Sequence, residues 1–353
     1  MTDSTQGSQP TIEDVALLAG VSTATVSRAL NGTSNVSIVA RRKVDLAVKT
    51  LGFIPNAGAR SLMLRRSGTI GVVIPTLSNT VFSQAMHGFQ QRLDKSGYQL
   101  LLACSNYNKE TEANQVRNLI SRGVEGIALT GGSQNREILS LLKQRGIPYL
   151  HVVTHKSPMK GYSVGFDNCK AAGLPIHYLF TLGHRKIGVL VGHTKNNDRS
   201  KSRLQGMLAA LQQENCPPLE FVHRECEYNL ESARSSFISM IQSFPEITAI
   251  ACGNDVIAHG VVLQARQCGF SVPGDISVTG FDDIELSEHL LPSLTTVRTN
   301  AAEMWFTAAE KLLRLIDKEG LETRHIQSPV ELIIRDSTSR PRSHSLKLKF
   351  KKL

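Results

Sequence analysis

The sequence predicts an all-α helix-turn-helix head joined to an α/β body made of two doubly wound parallel-sheet lobes. Three observations carry that class. Thr11 to Asn31 reads as two short helices joined by one tight turn. From Gly68 onward, short β-branched runs alternate with amphipathic stretches, the pattern of buried parallel strands linked by helices. That alternation occurs twice in series, which implies two similar lobes with a cleft between them.

Residues 1–10 are polar and are expected to form a disordered tail. Thr11 with Asp14 three residues later fits an N-terminal capping pair, and Val15, Leu18 and Ala19 then recur at helical spacing. Gly20 supplies the turn, and Ser22 can cap a second helix whose Val26, Ala29 and Leu30 face the first. Its polar face is Thr23, Thr25, Ser27 and Arg28. By shape alone such a hairpin either presents a solvated face or lays its second helix in the DNA major groove. The residues are more specific. Arg28 has the reach to span guanine O6 and N7, and the hydroxyls suit phosphates or bases.

Ser37 can cap a third helix running to about Leu51, with Val44, Ala47, Val48 and Leu51 on one face and Gly52 at its end. Arg41, Arg42 and Lys43 near its start fit either phosphate contact or a solvated face. Pro55 and Asn56 then break the helix, and Ala57 to Leu64 is short and rich in small residues. A helix that short is marginal alone in water, so it is expected to order only against DNA or a second copy.

Asp-Val-Ala (14–16), Ala-Gly-Val-Ser (19–22), Thr-Val-Ser-Arg (25–28) and Leu-Gly-Phe-Ile-Pro-Asn (51–56) resemble the DNA-binding head of the lactose-repressor (LacI/GalR) family of bacterial regulators. The resemblance continues over nearly the whole chain. It implies a DNA-binding domain at 11–56, a hinge helix and linker at 57–66, an effector-binding and dimerisation domain at 67–338, and a basic tail at 339–353. The candidate DNA contacts are Thr11, Ser22, Thr23, Ala24, Thr25, Ser27, Arg28 and Asn31 in the head, with Ala59 and Leu62 in the hinge. In that family two hinge helices wedge a leucine into the minor groove, and by position the leucine is Leu62; such a wedge trades unstacking energy for a kinked, better-wrapped site. The competing reading of Leu62 is a linker residue covering the core. The implied partners are double-stranded operator DNA and a second copy of the chain, as a homodimer.

In the body, Thr69–Ile74, Tyr98–Ala103, Gly126–Thr130 and Pro148–Val153 read as strands, with helices near 80–96, 109–122 and 134–145. A second set follows at Lys186–Val191, a weaker run near Glu220–Cys226, Ala249–Cys252 and Ile276–Gly280, with helices near 168–183, 201–214, 230–243 and 254–268. A last helix at about 300–318 and a last strand at Val330–Ile334 are expected to cross back and pair with each lobe. Lobe one is then about 67–166 and 300–328, and lobe two about 167–299 and 329–338. This resembles the periplasmic-binding-protein architecture that the family uses for effectors.

Ligands of open α/β sheets sit outside the carboxyl ends of the strands, so the post-strand segments carry the candidates. The resemblance places Phe82 against a ligand ring with Asn79 nearby, makes Arg203 a clamp on effector oxygens, and makes Asn254 and Asp282 hydrogen-bonding partners of hydroxyls or amines. Arg199, with Lys201 and Arg203, would favour a carboxylate. Arg203 and Asp282 also admit a purely structural reading, as an ion pair across the cleft. Asp167-Asn168 reads as a helix cap. The run Ser163 to Asn168 and the segment after the first strand look like the gluconate-type repressors of the family, so the expected effector is a sugar or sugar acid.

Charge divides unevenly. Residues 1–66 hold eight Lys or Arg against four Asp or Glu, residues 339–353 hold six against none, and the middle holds 26 against 26. A neutral body with a basic head suits contact with phosphate. The tail alternates leucine and lysine without heptads; it reads as solvated, with auxiliary DNA contact as the lesser reading. The six cysteines (104, 169, 216, 226, 252 and 268) form no metal-spaced cluster and are expected to be reduced thiols. No apolar run approaches the ~20 residues of a membrane helix, and the opening residues lack the apolar region of a signal peptide, so no membrane partner is expected and the bacterial cytoplasm is the expected compartment. No nucleophile elbow, Walker loop, zinc motif or dinucleotide fingerprint occurs, and His151, His155 and His193 read as loop or core residues; neither enzyme chemistry nor a cofactor is expected. The rival for residues 68–338 is a stand-alone sugar carrier, which would have no use for Thr11 to Leu64.

Overall fold

A computed structural model describes residues 9–31, 36–55, 66–156, 161–213 and 223–342. The chain divides into two compact units, Met1–Ser67 and Gly68–Leu353. The proposed hinge, with Ala59 and Leu62, lies outside the described residues, as do most of the tails and Cys216.

The first unit holds α1 (Ile12–Ala19), α2 (Thr23–Leu30) and α3 (Ile38–Leu51). Local chemistry sets each boundary. Thr11 and Asp14 close a capping box, Asp14 Oδ2 accepting from the Thr11 N–H at 2.8 Å and the Thr11 hydroxyl from the Asp14 N–H at 3.3 Å. Gly20 ends α1 at φ 65°, a left-handed conformation that costs glycine nothing. Ser22 and Ser37 accept from the third backbone N–H of α2 and α3. Val15, Ala16, Ala19, Val26, Ala29, Val44 and Ala47 form the core. Leu18, expected among them, is 53% exposed, and Ala16 takes its place. At 100° per residue, Val15, Ala16 and Ala19 share one narrow stripe that Leu18 misses.

The second unit contains two six-stranded sheets. In the first, β1 (Thr69–Ile74), β2 (Gln99–Cys104), β3 (Gly126–Thr130), β4 (Tyr149–Val152), β5 (Tyr162–Gly165) and β11 (His325–Gln327) lie in the order β11-β5-β4-β3-β1-β2, all pairs parallel. In the second, β6 (Ile187–Gly192), β7 (His223–Cys226), β8 (Ala249–Cys252), β9 (Ser277–Asp282), β10 (Thr295–Arg298) and β12 (Glu331–Ile333) lie in the order β12-β10-β9-β8-β6-β7. Only the β10–β12 pair is antiparallel. Both sheets reverse their strand order beside their first strand, β1 or β6, and a ligand crevice forms at such a reversal.

Around these sheets run α4 (Thr80–Asp94), α5 (Lys109–Ser121), α6 (Arg136–Gln144), α7 (Asn168–Thr181), α8 (Asp198–Gln213), α9 (Leu230–Ser243), α10 (Asp255–Gln267), α11 (Leu286–His289) and α12 (Ala301–Ile316). The chain crosses between lobes at 166–167, 299–300 and 328–330. Strands β5, β10 and β11 and helix α11, three or four residues each, are additions to the elements expected from sequence. Ser339 and Arg342, expected in a free tail, are tied to the second lobe: the Ser339 carbonyl accepts from Ser277 Oγ, and Arg342 bonds Asp275 at 2.9 Å. Among the described residues no helix is long and apolar enough to cross a membrane.

Glycine permits close helix contacts in both lobes. A Cβ on Gly88 of α4 would overlap the Ala302 carbonyl of α12, and one on Gly206 of α8 would overlap that of Cys169 in α7. Beside the first contact, Phe89 and Trp305 pack edge to face with centroids 5.9 Å apart. Gly88→Val must push α12 off α4 and is expected to cost about 1–3 kcal/mol, the usual penalty of overpacking; a lowered urea midpoint at unchanged m-value checks it.

Candidate functional site

In the head, α2 exposes Ser22, Thr23, Ala24 and Arg28, with Thr25, Ser27 and Asn31 half-buried and Thr11 exposed at the start of α1. Four of the expected hydroxyls, those of Thr11, Ser22, Thr25 and Ser27, are already engaged within the head. Ser22 Oγ caps the helix and lies 2.9 Å from Thr25 Oγ1. Asn31 Nδ2 reaches Ser27 Oγ at 3.5 Å. Arg28 is therefore the long side chain on this face, flanked by the short Thr23 and Ala24. Of the basic cluster on α3, Arg41 donates to the Ala29 carbonyl at 3.4 Å and helps join α3 to α2.

In the body, Asn79, Phe82, Arg199, Arg203, Asn254 and Asp282 all line one cavity at the carboxyl ends of the strands of both sheets. Asn79 follows β1 and caps α4 by accepting from the Val81 N–H. Phe82 lies one turn further on and is buried. Asn254 follows β8, caps α10 through the Ile257 N–H at 3.2 Å, and donates to Asp282 Oδ2 at 2.8 Å. Asp282 ends β9 with φ 114°, and its other oxygen sits 3.4 Å from Arg203 Nη2. Burial pushes the Asp282 carboxyl up, against the opposing pull of Arg203 and Asn254.

Arg203 is only 8% exposed, yet each part of its guanidinium is matched. Nε donates to Asn168 Oδ1 at 3.0 Å, Nη1 to the Gly253 carbonyl at 2.8 Å, and the plane lies 3.7 Å above the Phe281 ring. The ion pair with Asp282 is therefore present, and both of its members face the cavity. Arg199 bonds the Thr130 carbonyl at 3.3 Å and Asp198 at 3.0 Å, bringing α8 of the second lobe against the end of β3 in the first. The Asp167-Asn168 pair divides its work: Asp167 caps α7, whereas Asn168 holds Arg203 and the Val153 carbonyl.

The reading from sequence missed Tyr107, Asn197, Ser200, Tyr228, Phe166 and Trp305, all in the same wall. Trp305 and Phe166 extend the apolar side begun by Phe82, while Asn197 and Ser200 add polar groups opposite. Tyr107 does follow a strand, β2, so the rule that led to Asn79 would have found it. Trp305 lies on a helix returning from the other lobe, and no local pattern marks it.

A model for the lacI family of bacterial regulatory proteins matches residues 11–56, and one for a periplasmic binding protein-like domain matches 176–338. Catabolite control protein A of Priestia megaterium is 30% identical, over 93% of this chain and 99% of its own. The HTH-type transcriptional regulator GntR of Escherichia coli K12 is also 30% identical, over 89% of this chain and 94% of its own. Among solved structures, the lac repressor dimer bound to operator and the anti-inducer ONPF superposes with a TM-score of 0.84 at 28% identity, covering 94% of this chain and all of that one.

Behind Asp282 lies Asp255, fully buried, which accepts from the Ile284 N–H at 2.9 Å and from the Ser287 and Thr296 hydroxyls. Burial, and then the neighbouring Asp282, raise its pKa from the ordinary 3.8 to about 6, outweighing those three hydrogen bonds. The folded chain thus keeps a proton that the unfolded chain has released, so this group's contribution to stability falls as pH rises between about 4 and 6. Asp255→Asn is expected to remove that slope. Comparing urea midpoints of variant and wild type at the two ends of the window checks it.

Proposed function

The chain belongs to the LacI family of bacterial regulatory proteins, and on that premise we propose that it represses a carbohydrate or sugar-acid utilisation operon under control of a small molecule held between its lobes. It is a DNA-binding transcriptional regulator, in which α2 is the helix that enters the major groove. Arg28 makes the main base contact, and Thr11, Ser22, Thr23, Ala24, Thr25, Ser27 and Asn31 position the head on phosphate and sugar. One such head offers little specificity, so two copies reading a pseudo-palindromic operator as a homodimer supply it, with Ala59 and Leu62 of each hinge between them.

The observation that carries the effector site is the convergence of six side chains, from post-strand segments of both lobes, on one cavity. Phe82, Phe166 and Trp305 offer an apolar side for the carbon face of a sugar; Asn79, Asn254 and Asp282 offer hydrogen bonds for its hydroxyls. Arg199 and Arg203 favour a carboxylate, and a sugar acid suits this mixture better than a neutral sugar. The effector controls operator affinity by binding one arrangement of the lobes more tightly than another. A stand-alone carrier would have no use for the head.

Trp305 is the chain's single tryptophan and lines the cavity, so its fluorescence reports occupancy. Titration with D-gluconate is expected to saturate, and Arg203→Ala and Asp282→Asn to weaken the response roughly tenfold or more, since each leaves a buried charged partner unmatched. Wild-type affinity in both variants would rule the pocket out. On an operator recovered by selection from random DNA, Arg28→Ala is expected to lose about ten- to a hundredfold in affinity and to relax preference at one base pair per half-site.

A further inference from the structure

The cavity has a neighbour. A second chamber, lined by Ser105, Lys109, Glu112, Ser133 and Asn196, shares two lining residues with the first, Tyr107 and Arg199. The first chamber has an aromatic side and also touches Tyr228; the second is polar and charged apart from Val73, Ile74 and Pro75, and Tyr228 does not line it.

Tyr107 is held in place by a constrained turn. Asn106 and Tyr107 both take left-handed conformations, φ 50° and 56°, uncommon for residues with a side chain. The turn is fixed at both ends, with the Ser105 and Asn106 N–H groups donating to the carbonyls of Ile74 and Pro75 and Asn108 capping α5. Strain of this kind persists only where the surroundings over-determine it. Its product here is a ring aimed across the cleft.

The ring meets a partner from the other lobe. Tyr228, just past β7, stacks on Tyr107 with centroids 5.6 Å apart and planes 21° from parallel. Tyr228 is itself positioned: Asn197 Nδ2 donates to its hydroxyl at 3.0 Å, and a Cβ on Gly192 would overlap its ring. Burial raises the Tyr107 phenol well above its ordinary pKa, with Tyr228 adding to the effect. The stack requires both lobes to be together. Near it, Asp198 accepts from the Gly132 N–H at 2.7 Å, which, like the Arg199 bond to the Thr130 carbonyl, joins the lobes.

We propose that Tyr107 and Tyr228 form a partition that closes with the lobes and sets the length of effector the protein accepts, confining it to a single sugar unit and rejecting ligands whose substituent would have to cross into the polar chamber. The proposal rests on reading the cleft as the effector site. Neither ring needs to donate a hydrogen bond to a ligand for this role; Tyr107 borders both chambers, and Tyr228, from the other lobe, holds it there by stacking.

Two measurements on the full-length protein test it. The first uses no ligand: acrylamide quenching of Trp305 is expected to rise at least threefold in Tyr107→Asn, since asparagine tolerates the left-handed backbone, and likewise in Tyr228→Ala, while Tyr107→Phe keeps the wild-type value. Unchanged quenching in both opened variants overturns the partition. The second compares D-gluconate with lactobionate, the same acid carrying a galactosyl group. Wild type and Tyr107→Phe are expected to prefer gluconate more than a hundredfold, and Tyr107→Asn to lower that preference at least tenfold. If gluconate binds and the preference is the same in every variant, the size filter is wrong although the site is right. If neither compound binds any variant, the sugar-acid reading fails, and the quenching experiment alone decides the partition.

Discussion

A guanidinium nearly cut off from water must find a partner for each of its edges, and the cleft of this protein is arranged around how Arg203 does so. Its contacts come from the start of α7, the turn after β8, the end of β9 and the Phe281 ring. Removing one member of such a buried set leaves a charge uncompensated, a loss of about 3–5 kcal/mol in comparable cases. The second lobe's strand ends are therefore held in one relation to each other, and Asp282 can keep its strained φ because both oxygens are occupied. This makes the second lobe a preformed floor against which the first lobe brings Phe82, Tyr107 and Trp305.

The residue after Asp282 secures the same strand end from behind. Asp283, also left-handed at φ 56°, accepts from Arg298 Nε at 2.6 Å and Arg335 Nη1 at 2.7 Å. Arg298 ends β10, directly before the chain crosses to the first lobe, and Arg335 follows β12, directly after it has crossed back. Adjacent aspartates thus serve opposite faces: one is committed to the cleft, the other to the crossovers. A change in what Asp282 binds is mechanically close to the segments about which the lobes would turn.

How much of this could be read from the residues alone follows from how local each signal is. The head was legible because its boundaries are written in adjacent residues: Thr11 with Asp14, Gly20, Ser22, Ser37 and Gly52 each act within a turn of the chain. The segments that line the cleft were legible because they follow strands that periodicity exposes; within them Asn79, Phe82, Arg203, Asn254 and Asp282 were singled out by the family resemblance. The far wall was less so, although Tyr107 follows β2 as Asn79 follows β1. Tyr107 matters because Tyr228, more than a hundred residues away, lies on it, and Trp305 because its helix returns to pack on α4. Nor did spacing tell that Ser22 would be engaged as a cap, that Asn168 would hold Arg203 instead of capping, or that Leu18 would face outward.

The three crossings bear on the order in which the chain can become a protein. The first sheet lacks an edge strand until β11 is made, and its helical layer lacks α12, whose Trp305 covers Phe89. As the chain leaves the ribosome, residues 68–166 therefore emerge as a lobe with an open apolar face, and they stay so throughout synthesis of 167–299. The second lobe needs only β12 and the segment to Arg342 to finish. The part made first is thus completed only after most of the other lobe already exists, and until then the face awaiting α12 is the nascent chain's principal exposure to misassembly and to chaperones.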